Sequence, residues 1–78
     1  MKLAFHFDIQ SHLKARSEKE LHRRNVERAK TLFASDVISA AELQRRENEF
    51  EIASAETRAA QDQLRVLGVS PQAIERLA

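Results

Sequence analysis

Seventy-eight residues with no cysteine, one glycine and one proline exclude a disulfide scaffold, a cysteine-bound metal and a turn-rich sheet protein. A charged fraction of 32% against 5% aromatic is the composition of long helices and coiled coils. The net charge of +1 gives the whole chain no strong pull toward nucleic acid or anionic membrane, and at this size a single core is marginal without a partner.

The opening "MKLAFHF" is shorter than a signal-peptide apolar region, and no small-residue cleavage site follows it. No apolar run approaches the roughly 20 residues of a membrane span. Residues 1–8 lack periodicity and read as a flexible lead-in. A helix is expected over 9–34, with Asp8 as its N-cap. Its apolar face is read from Ile9, Leu13, Leu21, Val26, Ala29, Leu32 and Phe33, with the polar Asn25 and Arg28 among them. Ser17 and Glu20 match a capping box, but no helix breaker precedes them, so they read as mid-helix.

The tip, 35–38, contains neither glycine nor proline. Asp36 is the residue expected to bend it, since Asp is among the few non-glycine residues that tolerate positive φ. Ser39 and Glu42 form a capping box, with Ile38 and Leu43 placed as a hydrophobic staple. The second helix, 39–67, carries the cleaner signal. Leu43, Arg46, Phe50, Ala53, Thr57, Ala60, Leu64 and Leu67 alternate steps of three and four, which is a heptad seam. Ile52, Ala59 and Val66 repeat every seven on its flank, so the helix wants neighbours on more than one side. Gly68 is placed to close this helix. Ser70 as N-cap, Pro71 at the first position and the Val69–Ile74 staple begin a short third helix over 70–78.

The fold class is therefore all-α: a long antiparallel helical hairpin, a coiled coil with arms of roughly 40 Å, and a short third helix at the C-terminus. From Lys14 to Lys30 there are seven basic residues against three acidic, and from Ser39 to Gly68 four against six. Opposite arms are expected to help choose partner and register. The exposed apolar flank predicts self-association, as a dimer of hairpins.

Chemistry-bearing clusters are sparse. His6 and Asp8 in "HFD" form a weak metal pair with no third ligand at a recognisable spacing. His6, His12 and His22 are read as surface histidines, with no metal and no cofactor. Glu47, Glu49 and Glu51 alternate around a helix and do not converge, so they read as a solvated face. There is no glycine-rich phosphate loop and no nucleophile elbow, and no enzyme is expected. The basic run "HRRNVERAK" is preceded by Glu20, interrupted by Glu27 and lacks a stacking aromatic, so no nucleic-acid partner is expected.

The tip then offers a likeness. Arg28, Leu32 four residues on and Ser39 seven later give RxxxLxxxxxxS across the bend. This resembles the arginine–leucine–serine tip pattern of the helical hairpins in periplasmic adaptor (membrane fusion) proteins of tripartite efflux pumps. "ISAAEL" looks like the start of that family's second hairpin helix. "QLRVLGVSPQAIERL" is similar to the post-hairpin segment of its heavy-metal efflux, resistance–nodulation–division branch. The likeness covers roughly Ile9 to Leu77. It implies a periplasmic arm whose tip docks end to end with a TolC-like outer-membrane channel, with hairpins ranged in a ring. The inner-membrane transporter would be reached only through lipoyl-like, β-barrel and membrane-proximal segments that this chain lacks. Carried over residue by residue, Arg28, Leu32 and Ser39 are the docking residues. Asp36 stands where the family often has glycine. Val37 is added to them because the staple explains Ile38 but leaves a valine unexplained at a wet turn. The other reading is a stand-alone coiled-coil module that binds a helical or anionic partner.

Overall fold

The computed structural model describes the backbone of residues 2–77 and the side chains of residues 8–77. Three helices follow in order: α1 (Lys2–Ala34), α2 (Ala40–Val66) and α3 (Pro71–Arg76). α1 and α2 pack along each other as an antiparallel hairpin, and α3 folds back onto α2 at the open end. The molecule measures 51 × 18 × 16 Å, close to the length of α1 alone at about 1.5 Å per residue. Among the described residues, no helix is long and apolar enough to cross a membrane.

The three expected elements are present, and the ends of α2 and α3 fall where the caps place them. Ser39 caps α2, its hydroxyl accepting from the Glu42 amide at 3.1 Å. Ser70 caps α3, accepting from the Ala73 amide at 3.2 Å, with Pro71 in the first turn. The start of α1 differs. It runs from Lys2, so the flexible lead-in does not hold for residues 2–8, and Asp8 lies inside the helix rather than capping it. "KLAFHF" contains no breaker, and nothing local stops the helix before Lys2. Met1 lies outside the described residues.

The seam of α2 is as read: Ala53, Thr57 and Leu64 are buried, while Leu43, Arg46, Phe50 and Ala60 are half-buried. Leu67, its last member, is 42% exposed because the helix has ended. The buried Thr57 hydroxyl is satisfied by donating to the Ala53 carbonyl at 3.0 Å. Ser54, beside this seam, is buried as well.

The seam of α1 is not the one its leucines suggest. His12, Ala15, Val26 and Ala29 are buried, whereas Leu21 is 56% exposed and Ile9 and Leu13 are only half-buried. Stepping back from Phe33 by four and three in turn gives Ala29, Val26, His22, Lys19, Ala15, His12 and Asp8. This is an unbroken heptad register whose lower half is polar. His12 is thus a core residue and not a surface histidine. The register decides which α1 residues are fully buried, and no off-register leucine is among them.

Charge pairing also differs from expectation. Glu20 holds Arg23 and Arg24, Glu42 holds Arg45 and Arg46, Glu49 holds Arg45, and Asp62 holds Arg65, all within one helix. Among the described residues the one contact between ionisable side chains of the two arms is His22 Nδ1 to Glu49 Oε2, at 3.7 Å. Neighbours three and four residues away are simply nearer than the opposite arm.

Both α1 and α2 end in the same backbone motif. After α1, the Val37 amide donates to the Leu32 carbonyl (2.8 Å) and the Asp36 amide to Phe33 (3.0 Å). After α2, Val69 donates to Leu64 (3.1 Å) and Gly68 to Arg65 (3.0 Å). These are paired six-to-one and five-to-two bonds around a left-handed residue, the Schellman arrangement. That residue is Asp36 at φ 60° in the first and Gly68 at φ 93° in the second, as expected for both. A Cβ at Gly68 would meet nothing within 4 Å, so only the dihedral resists substitution. Gly68→Ala is expected to cost about 1 kcal/mol in a urea melt, and no more.

The tip as candidate docking surface

The bend is fixed by local bonds before any partner is considered. Leu32, Asp36 and Val37 are tied together by the hydrogen bonds just described, and Ser39 follows two residues later as the start of α2. Arg28 lies one turn before Leu32 on the same face of α1, about 6 Å down the axis. It therefore stands at the rim of the tip and not at its apex.

The side chains present a mixed surface. Val37 is 64% exposed and Phe33 41%, both at the bend. Phe33 belongs to the apolar face expected of α1. It ends the heptad register beyond the last turn of α1 that α2 covers, and so joins the tip surface. Leu32 and Ile38 are half-buried, and Arg28 and Asp36 are exposed. Neither of these charged side chains makes a hydrogen bond or ion pair among the described residues. Val69, the counterpart of Val37 in the second Schellman turn, is half-buried where α3 folds back. The same motif is covered at the base of the hairpin and bare at its tip.

The reciprocal half of the capping box is missing. The Glu42 carboxylate does not bond the Ser39 amide. It accepts from Arg45 at 2.9 and 2.6 Å and from Arg46 at 3.0 Å. Hydrogen bonds first from Arg45 and then from Arg46 hold its pKa down at about 2, so Glu42 stays charged at the foot of the tip. The Ser39 oxygen is occupied as an acceptor from the Glu42 amide, which leaves its hydroxyl proton to donate outward.

Elsewhere the surface offers open grooves. One, of about 640 Å³, is lined by Arg16, Lys19, Thr57, Gln61 and Ile74 from all three helices. No group of three or more His, Cys, Asp or Glu among the described residues could hold a metal. The His6 side chain lies outside the described residues. The chain matches no protein family, no curated protein and no solved structure.

Proposed function

We propose that this hairpin is the docking arm of a periplasmic adaptor, meeting the helical tips of a TolC-like outer-membrane channel in a tripartite efflux system, with a metal cation as the cargo class. The observation that carries the reading is the placement of RxxxLxxxxxxS. Its three residues straddle a bend that also leaves Val37 64% exposed. Arg28 offers several donors to channel carbonyls or carboxylates, Leu32 with Val37 fills an apolar depression, and the Ser39 hydroxyl donates across the contact. Asp36 makes the bend and adds a free carboxylate. In this reading the arm acts in the periplasm and reaches the transporter only through other segments of an adaptor.

A second reading has one observation in its favour. Leu21, Ile52 and Val66 are 56, 60 and 79% exposed along the shaft, away from the tip. A stand-alone coiled-coil module would use that shaft, for a second hairpin or for another helix.

Capture of the full chain on an immobilised TolC-like channel separates the two. Arg28→Asp and Leu32→Asp are each expected to weaken capture at least about tenfold, which corresponds to about 1.4 kcal/mol, with circular dichroism unchanged. Wild-type capture by both variants would sink the tip reading. So would loss of helicity, which would make these residues seam packing.

A further inference from the structure

His12 is wholly buried, and neither ring nitrogen has a hydrogen-bond partner. A neutral imidazole has one donor and one acceptor to satisfy, so this residue sits in the seam at a cost that an apolar side chain would not carry. Its surroundings follow from the register. Ala15 and Ala60 share one surface depression, and Arg16 and Gln61 share another. One turn further toward the base, His12 therefore lies at the level of Leu64, itself wholly buried. On α1 the charged groups near His12 are Asp8 a turn before it and Arg16 and Lys19 after it. On α2 the facing Ala60, Gln61 and Leu64 carry no charge; the charged groups beside them are Glu56, which shares a depression with Ser11, Lys14, Ala15, Glu18 and Ala60, and Arg65. On α3 they are Glu75 and Arg76. No carboxylate is hydrogen-bonded to the ring. Burial first, and the Arg16 charge second, hold the His12 pKa below its ordinary value.

His22, ten positions on in the same seam, is half-buried, with Glu49 Oε2 of the other arm 3.7 Å from Nδ1. The tip half beyond it is sealed by Val26 and Ala29, which do not titrate.

We infer that the base of the hairpin is an acid-released latch: a proton on His12 parts the Ser11–Arg16 turns of α1 from α2, while the arms from His22 to the bend stay paired. The sign follows from linkage. The closed base binds the proton less readily than the open one. Closure is therefore complete above the ordinary histidine pKa of about 6.5 and is lost as pH falls below it.

Hydrogen exchange on the full chain tests the latch. Between about pH 8 and about pH 5, either side of that pKa, amide protection factors over Ser11–Ala15 and Gln61–Leu64 are expected to fall severalfold. Protection over Val26–Ala29 and Phe50–Ala53 is expected to hold. His12→Leu should abolish the fall and keep the base closed at both pH values, and His22→Gln should leave the fall in place. A fall spread evenly over both halves, or one that survives His12→Leu, overturns the latch. Loss of the fall in His22→Gln also overturns it. Should His12→Leu fold poorly, imidazole NMR of the wild-type chain decides. A His12 titration that coincides with the loss of protection supports the latch. Titration at the ordinary value with exchange unchanged overturns it.

Discussion

Leu64→Ala is expected to destabilise the chain by about 3 kcal/mol, within the usual range for truncating a buried leucine. Leu64 is wholly buried, and among the described residues the other buried apolar side chains are Val26, Ile74 and the alanines at 15, 29 and 53. Alanines cannot move in to fill the space, because a β-carbon is fixed to its backbone. The cavity would therefore persist, and its cost adds to the lost transfer energy. A chain of this length has a total stability of roughly 4–12 kcal/mol at the common per-residue value, so the loss is a large share of it. In a thermal melt at fixed protein concentration the midpoint should drop by about 12–24 °C. Val66→Ala, two residues away and 79% exposed, should change stability by less than about 0.5 kcal/mol. Equal effects at the two positions would mean that α2 presents a different face to α1.

That α2 face was legible because apolar side chains and register agree. From Leu43 to Leu64 the three-and-four stepping meets apolar or small residues at every position but Arg46, and the same positions are the covered ones. On α1 the two signals part company. Ile9, Leu13 and Leu21 are the conspicuous apolar residues, but they lie off the line that runs through Val26 and Ala29. Once α2 fixes the partner, the two-helix seam admits only residues on that line, whatever their polarity. His12, Lys19 and His22 enter it because the alternative would break the register of Val26 and Ala29. Carrying the stepping back from Ala29, instead of collecting leucines, would have exposed the polar lower seam in the sequence itself.

The tip was legible for a different reason. Its conformation depends on one dihedral and a few local bonds, so Asp36 at positive φ and Ser39 as a cap could be read from residue type alone. The exposure of Phe33 could not, since it depends on where α2 begins relative to the last turn of α1. Nor could the fate of the Glu42 side chain. A carboxylate three and four residues before arginines has a competing offer from each, and two guanidinium groups outbid one backbone amide.

Asp36 variants should move stability and docking in opposite directions. Asp36→Gly is expected to stabilise the chain by about 1 kcal/mol, because glycine adopts φ near +60° without the steric penalty of a Cβ. Asp36→Val is expected to cost about 2 kcal/mol, since a β-branched residue is least at home there. Urea melts at matched concentration read both. Gly68 is the internal reference: the same pair of Schellman bonds forms around it with glycine in place. The Asp36 carboxylate is exposed and bonds nothing among the described residues, so the fold does not require it. If the proposed tip contact uses that charge, Asp36→Gly and Asp36→Asn should both weaken capture on the channel, the first while gaining stability and the second while holding it nearly unchanged. A glycine variant that melts earlier than wild type would show that the carboxylate serves the bend itself. A glycine variant that is more stable and docks as well as wild type would remove Asp36 from the contact and leave Arg28, Leu32, Val37 and Ser39 to make it.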